Sequence, residues 1–159
     1  MAFSVTCPSY MLDKPILQSL TSTGVEDPVH EPGFLVTATD GRIFQYGCFD
    51  SSSVAAVAGA PVAWAQTSTD NTVVFTSDTS DGSDVGIGCF LSILTDTYYG
   101  WIQRAGFVKD VPVSATAGDP IYAQDSKWTT GTVGTHHICG VALETDTSDV
   151  GNVILSSCL

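Results

Sequence analysis

From residue 34 onward, apolar positions come in short runs divided by polar, Gly-rich breaks. Phe34-Leu35-Val36-Thr37-Ala38 is a β-type run, Thr39-Asp40-Gly41 interrupts it, and Arg42 to Phe49 returns. Asp-Gly between two such runs is a strong hairpin signal, because the turn needs left-handed backbone that these residues tolerate. Further strands are predicted at Pro61 to Gln66, Thr72 to Thr76, Gly86 to Leu94, Tyr98 to Arg104 and Phe107 to Val113. Ile121 to Gln124, His137 to Leu143 and Asn152 to Leu155 complete the set. Only Val54 to Ala58 hints at a helical turn, and Gly59 and Pro61 end it. Many short strands at this spacing predict an all-β chain with a compact β-barrel or β-tulip/sandwich body.

Residues 1–33 follow another pattern. Pro8, Pro15, Pro28 and Pro32 fall here, and proline interrupts helices and sheet ladders alike. Met11 to Leu20 has room for about two helical turns from Pro15, too short to persist without docking. The segment is therefore expected to be an extended N-terminal arm, and residues 34–159 the β-barrel body. Phe3, Tyr10, Met11, Leu12, Ile16 and Leu17 give the arm apolar side chains with which to dock.

The body carries an internal echo. Ala58-Gly59-Ala60-Pro61-Val62 returns as Ala117-Gly118-Asp119-Pro120-Ile121. Leu94-Thr95-Asp96-Thr97 returns as Glu144-Thr145-Asp146-Thr147. Each half reads as an Ala-Gly-x-Pro strand, an acidic loop, a Gly-rich strand, a Thr-Asp-Thr hairpin and a closing strand. Two related β-units packed face to face, a possible internal duplication, would explain it.

Charge narrows the partners. The net charge is −12, and the five basic residues, Lys14, Arg42, Arg104, Lys109 and Lys127, are scattered. Nucleic acid and anionic membranes both need clustered Lys and Arg, so neither is an expected partner. No apolar run approaches the roughly 20 residues that span a bilayer. Met1 to Val5 lacks the basic flank and apolar core of a signal peptide, so a soluble product made in the cytoplasm is expected.

Chemistry finds few footholds. Cys7, Cys48, Cys89, Cys139 and Cys158 are odd in number and widely spaced, with no C-x-x-C pair, so they are expected to be reduced and to pack as small hydrophobes. His136 and His137 are adjacent, so on a strand they face opposite sides and one is expected to pack while the other is exposed. His30 lies in the arm. No Gly-x-Ser-x-Gly elbow, His-Glu-x-x-His pair, Walker loop or dinucleotide fingerprint occurs. The acidic run Asp78 to Asp84 lacks EF-hand order and reads as a solvated loop, as do Asp146 and Asp149. Glu26, Glu31 and Glu144 offer no evident pair for glycoside hydrolysis. Trp64, Trp101, Trp128, Tyr98 and Tyr99 lie in or beside strands, where packing is the expected use. Neither catalytic activity nor a cofactor or metal is expected.

Several runs, in order, resemble a known family. They are Asp40-Gly41-Arg42-Ile43-Phe44-Gln45-Tyr46, the Ala58 to Val62 unit, Tyr98-Tyr99-Gly100-Trp101-Ile102-Gln103 and Ala117 to Tyr122. Gly134 to Glu144 and the ending Val150-Gly151-Asn152-Val153-Ile154-Leu155 complete the pattern. Together they are similar to capsid decoration (cement) proteins of tailed bacteriophages and related head-associated β-barrel domains. That resemblance implies a virion protein on the capsid exterior. It would bind the major capsid protein, often as a homotrimer, and stabilise the head. Phe3, Tyr10, Met11, Leu12, Ile16 and Leu17 are the candidate capsid contacts. The alternative is a tail- or fibre-associated receptor- or ligand-binding β module, which predicts an exposed aromatic patch around Trp101 or Trp128.

Overall fold

A computed structural model describes residues 4–7, 30–50, 56–65, 74–79, 86–124, 126–132 and 136–156, with backbone alone at 4–7 and 74–75. All its regular elements are strands: β1 (Ser4–Cys7), β2 (Leu35–Ala38), β3 (Ile43–Phe49), β4 (Pro61–Trp64), β5 (Val74–Thr76) and β6 (Gly86–Phe90). Then come β7 (Tyr99–Ser114), β8 (Pro120–Gln124), β9 (Lys127–Thr130), β10 (Gly140–Ala142) and β11 (Val150–Leu155). The all-β expectation holds. No helix occurs at Ala56 to Ala58; the proposed helical turns at Met11 to Leu20 lie outside the described residues.

The pairings close twice. β3, β5, β4, β6 and β7 form one five-stranded cycle, and β7, β11, β10, β8 and β9 form another. Closure removes the free edges at which an open sheet would add foreign strands. The connectivity is the same in both barrels. In the first, β3 runs antiparallel to β7 and parallel to β5, and β4 is antiparallel to β5 and β6. In the second, β7 runs antiparallel to β11 and parallel to β9, and β8 is antiparallel to β9 and β10. Rather than packing face to face as separate units, the two halves share β7. Outside the first barrel, β2 pairs with β3, and β1 pairs in parallel with β2.

β7 shows how. The sequence predicts two strands divided at Ala105-Gly106, where glycine reads as a break. The chain instead runs on as one strand of 16 residues. Gly106 takes φ +93°, which only glycine adopts freely, and bends the strand without turning it back. At that bend β7 exchanges β3 and β6 for β11.

The echoes occupy matching places. Asp119 N–H donates to Thr116 O and Ala60 N–H to Val57 O, both at 3.0 Å. Gly118 (φ +90°) and Gly59 (φ +79°) sit at the third position of these turns, as a type II turn requires. Proline then opens the strand, where no ladder N–H is missed. Gly59 N–H donates to Phe90 O, and Gly118 N–H to Ala142 O. Each Thr-Asp-Thr segment joins an antiparallel pair, β6 to β7 and β10 to β11.

Each barrel is filled. Phe49, Val62, Ile87, Phe90, Leu94 and Ile102 pack in the first; Val111, Val113, Ile121, Trp128, Val153 and Leu155 pack in the second. β6 serves both, since Phe90 enters the first core while Cys89 enters the second. This is why Gly86–Phe90 is buried throughout and reads as an unbroken run instead of an alternation.

Candidate interaction surface

The arm residues named as candidate contacts, Phe3, Tyr10, Met11, Leu12, Ile16 and Leu17, all lie outside the described residues. What the structure places is the point where the chain leaves the arm. His30 stacks on Phe34 with ring centroids 5.5 Å apart, and meets Tyr46 and Trp101 edge-on at 5.2 and 5.3 Å. Gly33 N–H donates to Tyr46 O at 2.7 Å and fixes the entry into β2. Tyr46, Phe44 and Trp101 lie on the outer side of the first barrel, yet are buried to 4% exposure or less. Residues 30–34 and the β2 cluster thus form a lid of aromatic and aliphatic side chains over that face.

The expected aromatic patch is absent at both positions named for it. Trp101 is in the lidded cluster, and Trp128 is fully buried in the second core, its Nε1–H donating to Gly59 O at 3.0 Å. Trp64 is 39% exposed, with the Arg104 guanidinium 5.5 Å from its ring.

The histidine pair divides as its spacing predicts. His136 stacks on Tyr122 at 4.1 Å, and its Nδ1 accepts from Thr132 N–H, while His137 is exposed. No group of three or more His, Cys, Asp or Glu among the described residues is placed to hold a metal. Of the acidic run, Ser80 to Asp84 lies outside the described residues.

Cys48, Cys89 and Cys139 are in no disulfide; Cys158 and the side chain of Cys7 are outside the description. Burial pushes the Cys89 thiol up to about 12 from 9.0. Above pH 9 the unfolded chain ionises this thiol while the native chain keeps its proton. Stability is therefore complete below pH 9 and falls between pH 9 and about 12, at roughly 1.4 kcal/mol per pH unit from this group. Urea unfolding at pH 7, 9 and 10.5 checks this: Cys89→Ala is less stable at pH 7 but loses less on going to pH 10.5. Equal losses in both proteins would remove the effect.

Large apolar side chains left in solvent are concentrated on one barrel. Phe107, Val141, Leu143, Val150 and Ile154 are 37–47% exposed, and all belong to β7, β10, β11 and the loop between the last two. Sequence reasoning missed them. Their alternation with Val108, Ala142, Gly151 and Val153 was visible, but an apolar outer position looks like any other strand residue.

Neither a family model nor a curated protein matches this chain. Among solved structures, the chain is similar to the N base of the head fiber protein gp8.5 of bacteriophage phi29, with a TM-score of 0.53. The likeness covers 72% of this chain and 95% of that one at 12% identity. It establishes a shared fold.

Proposed function

We propose that the chain is a virion structural protein that binds the outer surface of a bacteriophage capsid. There it stabilises contacts between major capsid protein subunits, as a homo-oligomer assembled after synthesis in the host cytoplasm. The observation that carries this reading is the fold it shares with the N base of a phage head fiber protein, along 95% of that solved chain. Two barrels sharing a strand suit the role physically. A cement protein gains from a stiff body, because little order is lost when it docks. A surface with net charge −12 limits clumping between particles. An arm that reaches a neighbouring subunit adds a second, tethered contact and multiplies affinity without enlarging the first.

Electron microscopy of the native particle tests the assignment. Density for the two-barrel body on the outside of the head is expected; density only at the tail tip would end it. Replacing Tyr10, Met11, Leu12, Ile16 and Leu17 by serine should lower capsid occupancy by about tenfold or more. The Tm of the purified chain should be unchanged, and unchanged occupancy would remove the arm from the interface.

A second reading follows from the same neighbour, which is the base of a head fiber. In that case the body would anchor a projecting partner, and the density would continue outward beyond the two-barrel body.

A further inference from the structure

Because the two barrels share one connectivity, their surfaces can be compared position by position. Leu91 follows Phe90, whose carbonyl accepts from Gly59 N–H; Leu143 follows Ala142, whose carbonyl accepts from Gly118 N–H. The outer face of β6, β7 and β3 in the first barrel therefore corresponds to the outer face of β10, β11 and β7 in the second. The first carries Leu91, Tyr99, Trp101, Tyr46 and Phe44, with the His30 and Phe34 rings over Tyr46 and Trp101, and the positions there that match Val141 and Ile154 are the buried Cys89 and Gln103. The second carries Leu143, Val141, Val150, Ile154 and Phe107, and no described residue covers it.

The register makes this second face a continuous stripe. Val141 pairs with Ile154, and Ile154 pairs with Phe107, so three large apolar side chains line up across three strands. Val150 extends the stripe along β11, opposite Pro112. Contiguous exposed apolar side chains beyond what scattered surface residues supply mark sites of association on a soluble protein.

The rim identifies the partner. Lys109 pairs with Asp110 at 3.1 Å, two positions along β7 from Phe107. Lys127 pairs with Asp149 at 3.8 Å, beside Val150. Arg42 pairs with Asp40 at 2.8 Å and lies against Gly106, the neighbour of Phe107. These pairs place three of the chain's five basic residues, Arg42, Lys109 and Lys127, at the border of the stripe, where Glu144 beside Leu143 adds one further carboxylate. Two copies meeting through this face are therefore opposed by less like charge than the net charge of −12 would impose on average. The other exposed large apolar residues, Val57, Trp64 and Ile93, lie outside this stripe. Self-association through like faces is the pairing the described surface supports.

We propose that the outer face of β7, β10 and β11 is the interface between copies of this chain, each copy presenting the Phe107–Ile154–Val141 stripe to its neighbour. Apolar burial would drive it, and the three basic residues at the rim would lessen the repulsion between two acidic copies. The inference rests on the homo-oligomer part of the proposed function and would fail with it, whereas the assignment to the capsid exterior, tested on the particle, stands or falls separately.

Light scattering on the purified full-length protein across concentration provides the test. A mass of two or three chains is expected. Ile154→Arg and Phe107→Arg should each weaken association by about tenfold or more, because each buries an unpaired charge. Both positions are in solvent in the single chain, so far-UV CD and Tm should match the parent. Ile93→Arg, in the β6–β7 loop, should leave the mass unchanged. Should either arginine variant fold poorly, Phe107→Ser and Val141→Thr report the same dissociation. A parent of single-chain mass at several hundred micromolar would overturn the proposal, as would variants that keep the parent's mass. So would a monomeric parent whose binding to another virion protein is lost on Ile154→Arg, since the stripe would then belong to that protein.

Discussion

Trp128→Ala should cost about 4 kcal/mol of stability, a large share of the roughly 5–15 kcal/mol usual for a domain. Trp128 is fully buried, on β9 between Val113 and Ala123. Truncation removes the largest side chain of the second core and leaves a void that closed strands cannot collapse to fill. A second loss adds to the first. The indole N–H donates to Gly59 O at 3.0 Å, and Gly59 belongs to the turn that opens β4 of the first barrel. Without the indole that buried carbonyl loses its partner. Trp128→Phe separates the two contributions: it keeps most of the volume, loses the hydrogen bond, and should cost about 1–2 kcal/mol. Urea unfolding of the three proteins reads both numbers. If Trp128→Ala and Trp128→Phe cost the same small amount, the indole does not join the barrels as described.

The position of Trp128 also shows what could be read from residues alone. The strands with several adjacent β-branched or aromatic residues were legible, and so were the turns that demand glycine. Ala-Gly-x-Pro announces a turn with positive φ followed by a strand that opens on proline, and both copies form that turn. The strand carrying Trp128 was not legible. Lys127-Trp128-Thr129-Thr130 has one large apolar residue, and its pairing with both β7 and β8 is a long-range property. Nor did the sequence reveal that one strand serves two barrels, because Gly106 has the same letter whether it bends a strand or ends it. Of the candidate surface, the arm stands out in the sequence by its apolar side chains. The stripe on the second barrel does not, because alternation alone does not say which face is covered. That depends on whether another segment folds over it, as His30 and Phe34 do in the first barrel.

Gly140→Ala should destabilise the chain by about 3 kcal/mol, at the upper end of what overpacking costs. A Cβ at Gly140 would meet the backbone oxygen of Ile154, with Leu155 Cα also near, at 3.1 Å. The obstacle is main chain and has no rotamer to change. β10 would have to move off β11, but on its other side Gly140 is paired with Ile121 of β8. In a closed barrel, relief at one seam is crowding at the next. Gly88, at the matching place in β6, faces the same difficulty against the backbone oxygen of Gln103, so Gly88→Ala should cost a similar amount. Gly118→Ala is the control. Its φ is +90°, but nothing lies within 4 Å of the added carbon, so only the backbone penalty of about 1–2 kcal/mol applies. Because β7 closes both barrels, Gly88→Ala and Gly140→Ala should each shift one shared urea transition without splitting it. Two separate transitions in either variant would mean that the barrels fold as independent units. A Gly140→Ala protein no less stable than Gly118→Ala would mean that β10 and β11 do not approach as closely as their register requires.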